Sequence, residues 1–111
     1  MAVEVRYESG PFAARNADYL WLLLNVVDGD DESRQVVVRL GPKLTEKVWG
    51  PDDVFWWFAA RAGADRLHRA HRGGETTPRT IHLTADDMRR ALSEARREPE
   101  RLVEGTVLRA W

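Results

Sequence analysis

Residues 54–74, VFWWFAARAGADRLHRAHRGG, place four aromatic rings within five positions and then change to arginine, histidine and two glycines. The preceding proline and acidic residues at 51–53 favour the start of a helix, because carboxylates stabilise the positive end of the helix dipole. Gly73 and Gly74 are typical of a helix end. The stretch therefore predicts a long helix over residues 51–72, around which the rest of the fold must be arranged.

This helix has an apolar stripe with small residues in its middle, because successive residues lie about 100° apart around the axis. The stripe consists of Trp56, Ala60, Gly63, Ala64, Leu67 and Ala70. Its small residues would let the helix lie close to a sheet or another helix. The opposite side changes from aromatic residues to the charged residues Arg61, Asp65 and Arg69. We expect the first half to be buried all round and this charged side to face solvent.

Two β-rich runs precede the helix and are joined by an acidic turn. Residues 19–27, YLWLLLNVV, are apolar almost throughout, and residues 34–40, RQVVVRL, follow the turn DGDDES. These runs predict a β-hairpin, and a helical start over residues 12–24 is the alternative, since alanine and leucine favour helices. A strand that is apolar on both faces is usually covered on both sides, so the first run demands helices or a second subunit over the sheet.

Three further strands and a second helix complete the prediction. Residues 2–7, AVEVRY, alternate apolar and charged side chains, and the Ser-Gly-Pro sequence at 9–11 should end this strand. Residues 79–83 and 106–111 predict two more short strands. Between them, Thr84 fits the N-cap of a helix, with Asp87 as its capping-box acid and with Leu83 and Met88 as a hydrophobic staple.

The order of these elements indicates an α+β fold: an antiparallel or mixed sheet of about four to five strands with two main helices packed on one face. A length of 111 residues suits a single globular domain over residues 1–111. A hydrophobic content of 43%, a charged content of 32% and a net charge of -1 are typical of a folded protein. Such a balanced charge gives no overall field that would attract a nucleic acid.

The composition also bears on location and chemistry. There is no cysteine, which excludes disulfides and thiol nucleophiles. The longest apolar runs are too short to span a bilayer, and the first residues carry no signal-peptide pattern, so we expect a cytoplasmic location and no membrane partner. Arginine far outnumbers lysine, which indicates a bacterial protein from a GC-rich genome.

The tryptophan content is the main functional signal. Five tryptophans are more than one small core usually buries, since each contributes roughly 200 Å². Trp57 lies about 100° from the apolar stripe, and Trp49 and Trp111 lie outside the helix. Exposed tryptophans are common anchors of protein interfaces. We therefore predict a non-catalytic binding domain with these three residues at a protein-protein or homodimer surface, and a homodimer is the simplest case.

Two other functions remain open. A small enzyme or ligand-binding protein could have an aromatic pocket between sheet and helix, lined by Trp21, Phe55, Phe58 and His82. The sequence has no nucleophile motif, phosphate-binding glycine loop or dinucleotide fingerprint, so an enzyme is the weaker prediction and no cofactor is expected. Weaker still is nucleic-acid binding by a cluster of arginines, namely Arg66, Arg69, Arg72 and Arg79.

The three histidines are candidates for metal binding. His68 and His71 are three residues apart on the predicted helix, and His82 or Asp86 would have to supply a third ligand. Zinc-binding helices usually space the histidines by four with an internal glutamate, and that pattern is absent. We therefore interpret His68 and His71 as boundary residues of the apolar stripe and predict no metal site.

Overall fold

The structure, a computed structural model, describes residues 3–13, 19–28, 32–44, 53–95, 99 and 101–110. The strands are β1 (Val3–Ala13), β2 (Leu20–Asp28), β3 (Glu32–Leu40) and β4 (Thr80–Leu83). The helices are the single turn α1 (Pro42–Leu44), the long α2 (Asp53–Arg72) and α3 (Ala85–Glu94). The sheet order is β1-β2-β3-β4, with β4 parallel to β3 and the other pairs antiparallel. The predicted α+β class, with a mixed sheet and two main helices, is confirmed.

The predicted hairpin is formed by β2 and β3. Their pairing runs without a register shift from Leu20 opposite Leu40 to Asp28 opposite Glu32. The helical alternative over residues 12–24 is wrong where the structure describes this segment, because residues 12–13 and 20–24 belong to strands. β-branched residues in β3 and full burial of one face of β2 favour the sheet over the helix.

The Ser-Gly-Pro sequence at 9–11 does not end β1 as predicted. The strand continues to Ala13, and register shifts against β2 occur between Tyr7 and Ser9 and between Ser9 and Phe12. Gly10 has φ 127°, and a Cβ placed on it would lie 2.9 Å from Leu22 Cα. The strand therefore absorbs the irregular sequence as a bulge that only glycine fits, instead of ending there.

Helix α2 lies across the sheet, and every residue from 55 to 65 is buried. Its close approach at the small residues is confirmed: a Cβ on Gly63 would lie 3.0 Å from Val38 Cγ2 and 3.2 Å from Leu24 Cδ1. The expectation that Arg61 and Asp65 face solvent is wrong, since they are only 4% and 6% exposed. The reason is that this side of the helix is covered as well.

Part of that cover is the C-terminal segment, residues 101–110. The Arg61 guanidinium donates a hydrogen bond to the carbonyl oxygen of Arg109. The segment also pairs with β1: Tyr7 N donates to Thr106 O at 2.9 Å, and Leu108 N donates to Val5 O at 2.7 Å. The strand predicted over residues 106–111 is thus a short antiparallel pairing at the β1 edge, with residue 111 outside the described residues.

Helix α3 begins as predicted. Thr84 Oγ1 accepts a hydrogen bond from Asp87 N at 3.2 Å, and Asp87 Oδ2 accepts one from Thr84 N at 2.9 Å, which forms the capping box. Leu83 and Met88 are both buried at this end. α3 packs against α2, and the buried side chains of the sheet and of both main helices form one core cluster.

Candidate functional site

The two faces of the sheet differ in how well they are covered. On the face toward α2, the six central side chains of β2 and β3 are at most 3% exposed; they are Leu22, Leu24, Val26, Val36, Val38 and Leu40. The residues between them point to the other face, because successive side chains of a strand alternate. Those residues are only half-buried or exposed, although several of them are apolar.

We call this second surface the aromatic face and define it as Phe12, Tyr19, Trp21, Leu23, Val37 and Arg39. Trp21 lies opposite Phe12 on β1 and opposite Arg39 on β3, and Leu23 lies opposite Val37. The Trp21 ring centroid is 5.7 Å from that of Phe12 and 5.8 Å from that of Tyr19. The result is a continuous row of rings across one end of the sheet.

The rings of the aromatic face are exposed to different degrees. Phe12 is 40% exposed, whereas Tyr19, Trp21, Leu23 and Val37 are half-buried. The Arg39 guanidinium carbon lies 3.7 Å from the centre of the Tyr19 ring, which is a cation-π contact. These mutual contacts hold the aromatic side chains in place.

Charged groups lie at one end of the aromatic face and farther along the same surface of the sheet. At one end are Arg39 and the exposed His82, which lies opposite it on β4. Further along the sheet, Glu8 Oε2 accepts a hydrogen bond from Gln35 Nε2 at 2.9 Å, and Glu4 accepts one from Arg6 at 2.7 Å. This surface of the sheet is therefore basic at the aromatic face and carries carboxylates farther along.

Of the three predicted interface tryptophans, Trp57 is the one that the structure describes. Trp57 is 4% exposed and makes an edge-to-face contact with Phe58 at 5.1 Å. The expectation of an exposed Trp57 is wrong, because every residue of α2 from 55 to 65 is buried. Trp49 and Trp111 lie outside the described residues.

The sequence analysis did not identify the residues of the aromatic face other than Trp21 as a candidate site. The signal that could have identified them was the apolar character of both faces of β2.

The predicted pocket of Trp21, Phe55, Phe58 and His82 does not form. Phe55 and Phe58 are 0% and 4% exposed within the core, on the side of the sheet that α2 covers. Trp21 and His82 belong to the opposite face, since both share the register position of Arg39. The sheet therefore lies between Phe55 and Phe58 on one side and Trp21 and His82 on the other.

The four arginines predicted to bind nucleic acid line three different clefts, and two of them contact carboxylates. Arg66 Nη1 donates to His82 O at 2.8 Å and lies 3.5 Å from Asp87 Oδ2. Arg69 Nε lies 3.0 Å from Asp65 Oδ2. Both line a cleft of about 900 Å³ beside β4, whereas Arg79 lines a different cleft and Arg72 a third. Two of the four charges are thus already neutralised by carboxylates.

The histidines do not converge on one point. His68 is buried, with Nε2 2.8 Å from Leu108 O. His82 lies on the sheet face that α2 does not cover. In the described part of the chain, no group of three histidine or acidic side chains could hold a metal ion.

Within the described ranges, no helix is both long enough and apolar enough to cross a membrane. Comparisons of the chain with models of protein families, with curated proteins and with solved structures found no match. The geometry of the aromatic face is therefore the main guide to function.

Proposed function

We propose that this protein is a small non-catalytic interaction domain of the bacterial cytoplasm that forms a homodimer through the aromatic face. The observation that carries the proposal is that β2 is apolar on both faces, while only the face toward α2 is fully buried. Burying the second face would remove further apolar surface from water, at roughly 25 cal/mol per Å². A second subunit over the sheet supplies that burial.

The side chains of the aromatic face suit an interface. Tryptophan, tyrosine and arginine are the residue types that most often contribute strongly to binding. Trp21 lies at the centre of the row, with Phe12 and Tyr19 on either side. Because the rings already contact one another, little conformational entropy would be lost when a partner orders them.

The charges around the face favour a second copy as the partner. A two-fold axis in the plane of the interface and perpendicular to the strands would place the basic end of one copy over the carboxylate end of the other. Because the Glu8 carboxylate reaches Gln35 on β3, Arg39 on β3 of one copy would then approach Glu8 of the other copy. Glu8 makes a hydrogen bond to Gln35 and no ion pair with the described residues of its own copy, so its charge is available. Such complementarity fixes the orientation of a dimer.

The test is the oligomeric state by sedimentation equilibrium at micromolar concentration. We expect a dimer for the wild type and a monomer for Leu23→Glu, because the new carboxylate would be buried without a partner. Leu92→Glu is the matched control: it makes the same change at a leucine that is 46% exposed on α3, and it should leave the dimer intact. A wild type that stays monomeric up to about 1 mM would contradict the proposal.

The orientation can be tested separately by exchanging charges. Glu8→Arg should weaken the dimer about tenfold, because the new guanidinium at position 8 would repel Arg39 of the other copy. Combining Glu8→Arg with Arg39→Glu should restore much of the affinity, because opposite charges face each other again. If the double variant associates no better than the two single variants, the proposed orientation is wrong even if the dimer exists.

Nucleic-acid binding stays a weaker prediction. Of the four arginines in this prediction, Arg66 and Arg69 form ion pairs with Asp87 and Asp65. Retention on a polyanion column that falls steeply with salt would support it.

A further inference from the structure

A separate cleft of about 520 Å³ lies at the edge of the molecule, between the start of β1, the last turns of α2 and the C-terminal segment. Its walls include the apolar side chains of Val3, Val107 and Ala110, and its charged residues include Arg72 and Arg109. The volume is in the range of small-molecule sites, which is roughly 300–1,000 Å³. None of its residues belongs to the aromatic face.

The floor of this cleft is fixed by buried contacts. His68 Nε2 lies 2.8 Å from Leu108 O, and Leu108 N donates to Val5 O at 2.7 Å. Val5 and Leu108 are 0% and 2% exposed. The C-terminal segment is thus held to both α2 and β1, so that the cleft exists without a ligand.

The charge of the cleft is positive. Glu4 is the carboxylate of its lining, and Glu4 Oε2 accepts a hydrogen bond from Arg6 Nε at 2.7 Å. In the described part of the chain, Arg72 and Arg109 have no carboxylate partner. Arg72 stands in the last turn of α2, where a cation is favourable beside the negative end of the helix dipole. Arg109 lies in the C-terminal segment, where no helix dipole accounts for the position of its charge.

We propose that this cleft binds a small organic anion that has an apolar body and a carboxylate. The apolar body would pack against Val3, Val107 and Ala110. The carboxylate would lie at the mouth, where Arg72 and Arg109 donate charge-assisted hydrogen bonds. An apolar lining with few polar groups that fix orientation is the usual form of a small-molecule site.

The test uses octanoate as the probe, with octan-1-ol and octylamine as matched neutral and cationic compounds. Backbone amide signals of the protein are followed by two-dimensional NMR during titration. We expect octanoate to shift the signals of Val107, Arg109 and Ala110, with a dissociation constant at least about tenfold lower than those of octan-1-ol and octylamine. Equal affinity for octan-1-ol and octanoate would overturn the anion preference, and no shift at these residues would overturn the site.

Matched variants test whether Arg72 and Arg109 bind the carboxylate of octanoate. The double variant Arg72→Gln, Arg109→Gln should bind octanoate about tenfold more weakly, while Arg101→Gln, at an exposed arginine outside the cleft, should bind as the wild type does. The same titration on Leu23→Glu separates this site from the proposed homodimer, because the cleft shares no residue with the aromatic face. If the double variant binds octanoate as tightly as Arg101→Gln does, the two arginines do not form the anion site and the proposal is wrong.

Discussion

Tyr7 shows how a single side chain secures the irregular part of β1. Its ring is buried on the core side of the strand, and its hydroxyl donates a hydrogen bond to Gly10 O at 2.5 Å. The bond therefore ties the regular strand to the bulge. Burial raises the pKa of the Tyr7 phenol above its usual value of 10.0, because the charged phenolate is poorly solvated there.

Tyr7→Phe should lower the free energy of unfolding by about 1 kcal/mol at neutral pH, through loss of this hydrogen bond. The raised pKa means that the neutral phenol contributes its full stability below the unfolded value of 10.0. That contribution is lost as pH rises through the folded pKa. Urea denaturation of both proteins near neutral pH and at about pH 11 should show the difference shrinking at the higher pH. A difference that does not change with pH would contradict the assigned shift.

At the scale of elements, the contact between α2 and the sheet depends on Gly63. Glycine in a helix costs about 1 kcal/mol relative to alanine, so its presence needs a reason. The reason is proximity: a Cβ would lie 3.0 Å and 3.3 Å from the two methyl carbons of Val38. Val38 is fully buried and its χ1 angle is restricted, which leaves little room for it to move.

Gly63→Ala should therefore lower the free energy of unfolding by about 1 kcal/mol, because overpacking outweighs the gain in helix propensity. Gly41→Ala is the control, since a Cβ at Gly41 meets nothing within 4 Å. That change should be neutral or slightly stabilising. Chemical denaturation measures both variants, and a Gly63→Ala protein more stable than the wild type would show that the sheet yields at Val38.

At the scale of the whole molecule, the first strand and the end of the described chain meet at one edge of the sheet. Leu108 bonds to Val5 through its backbone, and its side chain is 2% exposed. Arg61 and His68 of α2 hold the carbonyl groups of Arg109 and Leu108. β1, α2 and the C-terminal segment therefore pack together in one region, although they are far apart in the sequence.

Leu108→Ala should lower the free energy of unfolding by about 3 kcal/mol, because a fully buried leucine leaves a cavity. The loss should appear in a single cooperative transition, since the segment belongs to the common core. Val103→Ala, at a side chain that is 65% exposed in the same segment, should change stability by less than about 0.5 kcal/mol. Equal effects of the two substitutions would show that the C-terminal segment is not part of that cooperative unit.

Local patterns in the sequence were sufficient for most elements. The hairpin, the capping box at Thr84 and the close approach at Gly63 each depend on neighbouring residues or on one helix face. The sequence was less informative about the candidate site. Sequence patterns predict Trp57 at an interface and, as an alternative, Trp21 in a pocket with Phe55 and Phe58. Trp57 is buried and Trp21 lies on the other side of the sheet from the two phenylalanines. The periodicity of an element does not show which of its sides another element will cover.

The α+β class, the hairpin and the two main helices follow from local sequence patterns, since strand alternation, helical stripes and caps act over a few residues. The burial of Arg61 and Asp65 and the partial exposure of the aromatic face result from long-range packing. Both outcomes depend on where the C-terminal segment and α2 pack. Burial is a property of the assembled layers, because it is set by contacts between residues that are distant in the chain.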